Sequence, residues 1–122
     1  MTALAALIVE QYNNGKRVFE DLDLDNENFD GENLEGVTFN RCFLYSSFKK
    51  TNLKNARFTN GNVKTCDFRG SDLTNAHFEN VSVEGARFAG SKTEGIYFDD
   101  NWCYGNLVTQ ADFHNFIKDD SD

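Results

Sequence analysis

Hydrophobic residues recur at every fifth position through the middle of this chain, from Thr51 to Phe88. Each block of five there has a small residue, a short polar residue, a leucine, phenylalanine or valine, and two mostly polar positions. An α-helix would place its hydrophobic residues three or four apart, and a strand buried on one side would place them two apart. A period of five fits neither element. It predicts a chain that makes a short extended segment, turns a corner and repeats.

Two residues of each block are expected to face inward. Side chains alternate along an extended segment, so residues two apart, such as Ala56 and Phe58, point to the same side. The other three positions then face water or form the corner. If four segments close a square, one coil takes about 20 residues, and equivalent residues should recur at that spacing.

The sequence meets this test with four columns of hydrophobic core residues. They are Phe19, Phe39, Phe58, Phe78 and Phe98; Leu24, Leu44, Val63 and Val83; Phe29, Phe48, Phe68 and Phe88; and Leu34, Leu53, Leu73 and Thr93. Two opposite walls therefore consist of phenylalanine and the other two mainly of aliphatic residues. One step is irregular: Phe48 follows Leu44 after four residues, which predicts a corner that is one residue short.

The repeat resembles that of the pentapeptide-repeat family, whose consensus is alanine, then aspartate or asparagine, then leucine and two variable residues. The matching segments include Thr51-Asn52-Leu53, Cys66-Asp67-Phe68 and Ser71-Asp72-Leu73. The resemblance covers residues 17–98. It implies an all-β fold, a right-handed quadrilateral β-helix, and usually a non-enzymatic protein that binds other proteins.

We expect a single domain over the 122 residues. It divides into an N-terminal helical cap (1–15), about four coils (17–98), a degenerate last coil or C-terminal cap (99–117) and an acidic tail (118–122). A last coil is indicated by Ala111-Asp112-Phe113, which keep the repeat, with Phe116 and Ile117 closing over it. An N-terminal cap is expected because the open end of a coil stack has unpaired backbone groups.

The capping helix is predicted from one hydrophobic face and two end signals. Leu4, Leu7, Ile8 and Tyr12 are the residues assigned to that face. Thr2 can cap the start of the helix, and Asn14-Gly15 can end it. A helix lying on a membrane would need lysines on its polar face, and none precedes Lys16.

The first coil departs from the repeat at two glutamates. Glu27 and Glu32 occupy positions where a small residue is expected. An unpaired buried carboxylate is costly, so both glutamates should be paired, for example with Arg17 beneath the cap, or tilted towards solvent. Asp21, Asp23 and Asp25 resemble part of a calcium loop, but no helices flank them and a loop glycine is missing. Calcium binding there is therefore the weakest of the functional hypotheses.

The positions of the three cysteines and the lack of a recognised targeting segment indicate what kind of protein this is and where it is expected. Cys42 and Cys66 fall at small inward positions and are interpreted as buried thiols, whereas Cys103 lies near the end of the coils and should be more exposed. No disulfide framework or metal-ligand spacing is present in the sequence, and we expect no cofactor. Neither a signal peptide nor a membrane span is recognised, so the bacterial cytoplasm is the expected location.

The charge of −8 is spread unevenly. It amounts to −7 over residues 1–40, +5 over 41–92 and −6 over 93–122. In the positive middle, Lys49 and Arg69 should share one phenylalanine wall, with Lys50 and Arg87 beside them. We interpret these four residues as a candidate docking stripe for an acidic protein surface, against the alternative of a merely solvated face.

Aromatic residues near the end of the chain offer a second candidate interaction surface. Trp102 and Tyr104 could contact an unidentified protein partner, or a second copy of the chain in a homodimer through the C-terminal end, instead of packing in a cap. The negative net charge and the lack of aromatic residues clustered with the bases argue against direct nucleic-acid binding.

The sequence bears on two further functions, DNA mimicry and catalysis. Some members of the resembling family protect DNA gyrase by imitating duplex DNA, and a DNA mimic that binds a type II topoisomerase is the alternative to a general interaction module. A basic middle makes such mimicry poor, because DNA is evenly negative. An enzyme is not expected: His77 and His114 have no nucleophile or carboxylate placed with them by the sequence, and no known catalytic motif is present.

Overall fold

The computed structural model describes residues 2–119, with side chains described for residues 2–115. Its elements in chain order are α1 (Ala3–Asn13), β1 (Val18–Glu20), β2 (Thr38–Asn40), β3 (Arg57–Thr59), β4 (His77–Glu79), β5 (Tyr97–Asp99), β6 (Asn101–Cys103), β7 (Asn106–Val108) and α2 (Gln110–Asp119). Strands β1 to β5 form one parallel sheet in sequence order, and β6 pairs with β7 antiparallel. Each return to the parallel sheet is therefore one turn of a coil.

The register of the sheet confirms the predicted columns. Phe19, Phe39, Phe58, Phe78 and Phe98 lie opposite one another in consecutive strands. The other three walls are joined by single parallel bridges, such as Asn28 to Ser47 and Asn33 to Asn52. The chain thus folds as the predicted right-handed quadrilateral β-helix of about four turns.

Phenylalanine rings fill the centre of the stack. Phe48 stacks on Phe68 with ring centroids 5.4 Å apart, and Phe58 stacks on Phe78 at 4.7 Å. The two walls also meet edge to face, for example Phe68 against Phe78 at 5.6 Å. Such aromatic pairs contribute about 0.5–1.5 kcal/mol each beyond the burial of their area. The rings therefore fix the spacing of the coils as well as excluding water.

The short corner between Leu44 and Phe48 is confirmed. Phe39 lies opposite Phe58, so this coil contains nineteen residues, whereas the next brings Phe58 opposite Phe78 after twenty. Tyr45 makes the corner alone with φ 33°, and the equivalent corners above and below contain Asn26 and Thr65 at φ 57°. The missing residue leaves an open cavity of about 720 Å³ beside Tyr45.

Helix α1 covers the first coil, as predicted, but with a different face. Ala5, Ile8, Val9 and Tyr12 are buried, whereas Leu4 and Leu7 are exposed. The prediction that Leu4 and Leu7 face the stack is therefore wrong. The predicted and the observed faces both have helical spacing, because most residues of this helix are apolar. The buried face includes Tyr12, whose hydroxyl donates to the Glu35 carbonyl at 2.6 Å.

The two ends of α1 are capped in different ways. Its last turn ends at Asn14 and Gly15 as predicted, with Gly15 at φ 106° and the Lys16 N–H bonded to the Gln11 carbonyl. At the start, Thr2 occupies the capping position but does not cap with its own side chain. Instead, the Glu27 carboxylate accepts hydrogen bonds from the Thr2 hydroxyl and the Ala5 N–H.

Glu27 is therefore paired, as expected, but its partner is the N-terminal end of helix α1 and not Arg17. A carboxylate at a helix N-terminus is favoured by the unpaired N–H groups and by the helix dipole. Arg17 contacts Tyr12, with its Nη1 donating to the Tyr12 carbonyl at 2.8 Å and its guanidinium 3.8 Å from the centre of the ring. Glu32 is partly exposed.

The chain leaves the repeat after the fifth pass through the sheet. Strands β6 and β7 form a hairpin around Tyr104 and Gly105, both with positive φ, and α2 follows. Ala111-Asp112-Phe113 accordingly lie in a helix and not in a last coil, because the hairpin has already reversed the chain. Phe113 packs on Phe88 and Phe98 with centroids 5.3 and 4.6 Å apart, which covers this end of the core. The side chains of Phe116 and Ile117 and the residues 120–122 lie outside the described part.

Candidate functional site

The coil stack presents four outward faces, which we number by their core columns. Face 1 lies outside the Phe19 column, face 2 outside the Leu24 column, face 3 outside the Phe29 column and face 4 outside the Leu34 column. On each face the residues directly before and after a core residue point outward. Equivalent residues of neighbouring coils are about 5 Å apart, so each face carries ladders of side chains along the stack.

The basic residues singled out in the sequence lie together on face 3. Lys49 and Arg69 follow the core residues Phe48 and Phe68, and Arg87 lies opposite Asp67 on the ladder that precedes the core. Lys50 is exposed at the adjoining corner, with φ 56°. The four residues thus form one continuous region of the surface.

Two carboxylates lie within this basic region. Arg69 binds Asp67 through two nitrogens, with Nη2 2.7 Å and Nε 2.9 Å from carboxylate oxygens, and Lys49 lies 4.0 Å from Asp30. Partial burial opposes ionisation of Asp67, but the hydrogen bonds from Arg69 outweigh it and lower the pKa of the carboxyl. Face 3 is therefore a mixed-charge surface with a basic excess, in which Asp30 and Asp67 interrupt the basic stripe.

The two aromatic residues singled out in the sequence lie on face 2, next to face 3. Trp102 is 40% exposed and Tyr104 is 80% exposed. Leu107, which the sequence analysis did not single out, lies opposite Trp102 in the hairpin and is 51% exposed. The three side chains form an apolar group, which we call the hairpin patch.

A ladder of side-chain amides holds Trp102 in place. The indole Nε1 donates to Asn80 at 3.1 Å, Asn80 donates to Asn60 at 3.1 Å, and Asn60 donates to Asn40 at 3.0 Å. Asn40 in turn donates to the Glu20 carboxylate at 3.1 Å. The ladder runs along the whole coil stack, and each amide is both donor and acceptor, an arrangement that strengthens every hydrogen bond of the ladder.

Tyr104 is positioned by a different contact. Its N–H donates to the Glu84 Oε1 at 2.6 Å, and Lys64 lies 3.7 Å from the Glu84 Oε2. The coil beneath the hairpin therefore holds the Trp102 side chain and the Tyr104 backbone. Exposed tryptophan and tyrosine side chains are the usual anchors of protein interfaces.

Another exposed aromatic residue on face 2 escaped the sequence analysis. Phe43 is 49% exposed and lies 6.4 Å from Tyr45, centroid to centroid, next to the short corner. Its outward position could have been read from the register, because it directly precedes the core residue Leu44. A cleft that lies between the β6–β7 hairpin and α2 could not have been inferred from the register, because the repeat does not continue there.

The structure does not support a calcium site in the first coil. Asp21 lies on the corner of face 1 and binds Arg41 at 2.8 Å, whereas Asp23 and Asp25 flank the core residue Leu24 and line different cavities. Within residues 2–119, no three acidic, histidine or cysteine side chains form a metal-binding group. The corner at Asp21 turns its carboxylate towards Arg41, and Asp25 lines a different cavity from Asp23, so the three carboxylates do not converge on one point.

His77, Cys42 and Cys66 lie in packed surroundings, whereas His114 is exposed on α2. His77 stacks on Tyr97 with centroids 4.0 Å apart, and partial burial together with the Arg57 charge lowers the pKa of His77. Burial raises the pKa of the Cys66 thiol to about 12, and Cys42 is also buried, as predicted. Cys103 is partly exposed, also as predicted. None of the described helices has the length and apolar character needed to cross a bilayer.

Comparison with known proteins agrees with this geometry. The family model described as "Pentapeptide repeat region" matches residues 16–88. Among curated proteins, no sequence matches this chain. One similar solved structure is QnrB1, a plasmid-mediated fluoroquinolone resistance protein, with 23% identity and a TM-score of 0.60 over 69% of this chain and 46% of that one.

A second similar structure is HetL, a pentapeptide repeat protein involved in heterocyst differentiation regulation in the cyanobacterium Nostoc sp. strain PCC 7120. It is 22% identical, with a TM-score of 0.50 over 77% of this chain and 42% of that one. This chain therefore spans less than half the length of either protein, and the likeness concerns the fold alone. The family model covers more than half of the sequence, and its repeats coincide with the observed coils: the chain belongs to the pentapeptide-repeat family.

Proposed function

We propose that this chain is a rigid, non-enzymatic module that binds a protein partner through faces 2 and 3. The observation that carries the proposal is the hairpin patch, in which the amide ladder holds a half-exposed Trp102 beside Tyr104 and Leu107. Tryptophan and tyrosine are enriched at the energetic centres of interfaces. A contiguous exposed apolar group on a small domain is typical of a binding surface.

The rigidity of the coil stack supports this role. Backbone hydrogen bonds link each coil to the next on all four walls, for example from Leu53 to Asp72 at 2.9 Å and from Leu73 to Lys92 at 2.8 Å. A surface that is already ordered loses less conformational entropy when a partner binds. Fixed ladders of side chains can therefore recognise a partner without a conformational change in the module.

Face 3 supplies the charged part of the surface. Lys49, Lys50, Arg69 and Arg87 provide a basic excess in the middle of a chain whose two ends are acidic. Charges of this kind mainly set the rate and the specificity of association. The partner is expected to present acidic groups opposite face 3, and the module itself requires no cofactor.

Affinity capture from a bacterial lysate, followed by mass spectrometry, tests this proposal. The variant Lys49→Glu/Arg69→Glu/Arg87→Glu should lose a protein that the unmodified chain retains at low salt. The matched control Lys54→Glu/Arg57→Glu/Lys92→Glu makes the same change of charge on faces 1 and 4 and should retain it. Surface ion pairs contribute about 1 kcal/mol or less, so both variants should keep the thermal stability of the parent. Equal retention by both variants would remove face 3 from the proposal.

A second copy of the chain is one possible partner. Because α2 and Phe113 cover the end of the core, a homodimer through the C-terminal end would have to use the hairpin patch and α2. Light scattering coupled to gel filtration distinguishes this case, since Trp102→Ala/Tyr104→Ala would convert a dimer into a monomer. A parent protein that is already monomeric at high concentration would exclude it.

DNA mimicry of the kind that targets a type II topoisomerase remains the alternative. Face 1 and its corner offer the acidic side chains Glu20, Asp21, Glu79, Asp99 and Asp100, interrupted by Arg41 and Arg57. The four turns span about 20 Å, over which duplex DNA carries about 12 negative charges. Face 1 therefore carries less than half as many negative charges as DNA over the same length. A supercoiling assay with purified gyrase decides the matter, and no effect at saturating protein would exclude mimicry.

A further inference from the structure

A cleft of about 410 Å³ lies between the β6–β7 hairpin and α2, where the chain leaves the repeat. Tyr104, Leu107 and Val108 provide an apolar wall, and Asn106, Asp112 and Asn115 provide polar groups. The volume lies within the range of about 300–1,000 Å³ that is usual for ligand sites. This is the part of the molecule that the repeat does not dictate.

Both sides of the cleft are held in place. Tyr104 and Gly105 have φ of 51° and 80°, the values of a two-residue hairpin turn whose twist matches its strands. On the other side, Thr109 and Asp112 hold the start of α2: the Asp112 N–H donates to the Thr109 carbonyl, and the Thr109 N–H donates to Asp112 Oδ2 at 3.0 Å. Phe113 then anchors α2 on the core.

Asp112 is the one charged residue among the described residues that line the cleft. Hydrogen bonds from the Thr109 N–H and hydroxyl lower the pKa of Asp112, so its carboxylate is ionised at neutral pH. Both bonds go to Oδ2, which leaves Oδ1 without a donor among the described residues. Residues 93–119 contain five acidic residues and one basic residue, and the cleft therefore lies at a negative end of the described chain.

We propose that this cleft binds an arginine side chain of the protein partner. The aliphatic stem would lie against Leu107 and Val108, and the guanidinium would reach Asp112. A guanidinium has five donors in one plane, which suits the Asp112 carboxylate together with the side-chain oxygens of Asn106 and Asn115. The Tyr104 ring offers a surface for stacking. The inference rests on the proposed function, because it assigns one contact to the partner that the module binds.

Binding of N-acetyl-arginine amide, followed by 15N–1H NMR, tests the cleft without any partner. The matched probe is N-acetyl-citrulline amide, which has nearly the same shape and no charge. The arginine compound should cause saturable shifts at the amides of residues 103–108 and 112–115, with an affinity about tenfold higher than that of citrulline. Equal shifts with both compounds, or shifts with arginine that spread over the acidic surface without saturation, would overturn the proposal.

Two variants locate the effect. Asp112→Asn should weaken binding of the arginine compound about tenfold, whereas Asp100→Asn, which makes the same charge change on an exposed corner outside the cleft, should leave it unchanged. Equal weakening in both variants would mean that only the general field attracts the probe, and would overturn the assignment.

The rate of alkylation of Cys103 tests the proposal in the unmodified protein. This measurement is needed because Asp112→Asn could weaken binding by loosening α2. The Cys103 thiol lines the cleft, while Cys42 and Cys66 are buried. N-acetyl-arginine amide should slow alkylation of Cys103 by iodoacetamide, and an unchanged rate at saturating probe would contradict the proposal. Since these assays use no partner, failure of the cleft and failure of the interaction module are observed separately.

Discussion

Small residues at the inward corner positions set how closely neighbouring coils approach, and Gly61 is the tightest of them. A Cβ on Gly61 would lie 2.4 Å from the carbonyl oxygen and 2.8 Å from the nitrogen of Cys42 in the coil below. Both atoms belong to the backbone, so neither can move away without displacing a coil. Gly61 is required for space here, since its φ lies outside the left-handed region.

Gly61→Ala should therefore destabilise the fold by about 1–3 kcal/mol, the usual cost of overpacking a core. The measurement is urea denaturation followed by circular dichroism. Ala76→Ser is the matched control, because serine already occupies equivalent positions at Ser71 and Ser91 and donates there to a carbonyl three residues earlier. It should change the free energy of unfolding by less than about 1 kcal/mol. Comparable losses in the two variants would contradict the packing argument.

His77 should make stability depend on pH near neutrality. Partial burial and the Arg57 charge lower the pKa of His77, against the opposing effect of Glu79, so the unfolded chain binds this proton more tightly than the folded protein. The contribution is therefore complete above the unfolded value of about 6.5 and is lost as the pH falls from there through the lowered pKa of the folded state.

The comparison of His77→Gln with the parent isolates this effect, because the other titrating groups are common to both. Thermal unfolding at about pH 7.5 and about pH 5.5 should show a larger loss of Tm in the parent than in the variant. The same loss in both proteins would mean that the surroundings of His77 do not disfavour its charged form.

At the level of elements, Glu27 joins the N-terminal cap to the coils. Its carboxylate accepts hydrogen bonds from Thr2 and from the Ala5 N–H at the start of α1. Glu27→Ala should cost about 1–2 kcal/mol, the usual effect of losing a helix cap. Glu32→Ala, at the equivalent position of the next wall, is the control and should cost clearly less. Denaturant unfolding of the two variants measures the difference, and equal losses would show that Glu27 does not act as a cap.

The short corner at Tyr45 is a second feature that can be tested at the level of elements. Inserting one glycine between Tyr45 and Ser46 restores the normal step, so Phe48 keeps its register and the free energy of unfolding should change by less than about 1 kcal/mol. The same insertion between Thr65 and Cys66 lengthens a regular corner and should cost at least about 2 kcal/mol. Thermal or urea unfolding compares the two, and equal stability would contradict the assigned register.

The sequence predicts these elements unevenly, for physical reasons. The coils follow from inward positions that tolerate only small or hydrophobic residues, which is why Phe19 to Phe98 were placed correctly. On α1, hydrophobic residues occupy nearly every side, and periodicity alone does not choose Ala5 and Val9 over Leu4 and Leu7. At the C-terminal end, the prediction of a last coil from residues 111–113 is wrong, because the hairpin turn at Tyr104 and Gly105 reverses the chain before it reaches them.

The candidate surface was predictable in part. The register placed Lys49 and Arg69 correctly on one face, because outward positions are fixed once the core is known. It did not reveal how far Asp30 and Asp67 neutralise them, since this depends on side-chain conformations across neighbouring coils. Trp102 is identified by its residue type, whereas the ladder that fixes it depends on Asn60 and Asn80 at one corner and on Asn40 at the end of β2, which the repeat does not place at equivalent positions.

At the scale of the whole molecule, the acidic and basic regions follow the axis of the stack. The first coil and the C-terminal end are negative, and the coils between them are positive. A partner that is acidic opposite face 3 and basic opposite the hairpin and α2 would match both regions at once. Such complementarity along one axis selects the direction in which the partner binds.

Hydroxyl-radical footprinting of the protein with and without its captured partner shows which surface the partner covers. It reports the exposure of individual side chains and needs no substitution. Trp102, Tyr104 and Leu107 should lose reactivity in the complex, while Leu7 on the outer side of α1 and Val18 on face 1 keep theirs. Unchanged reactivity of the hairpin patch, with protection at Leu7 or Val18 instead, would contradict the claim that faces 2 and 3 are the binding surface.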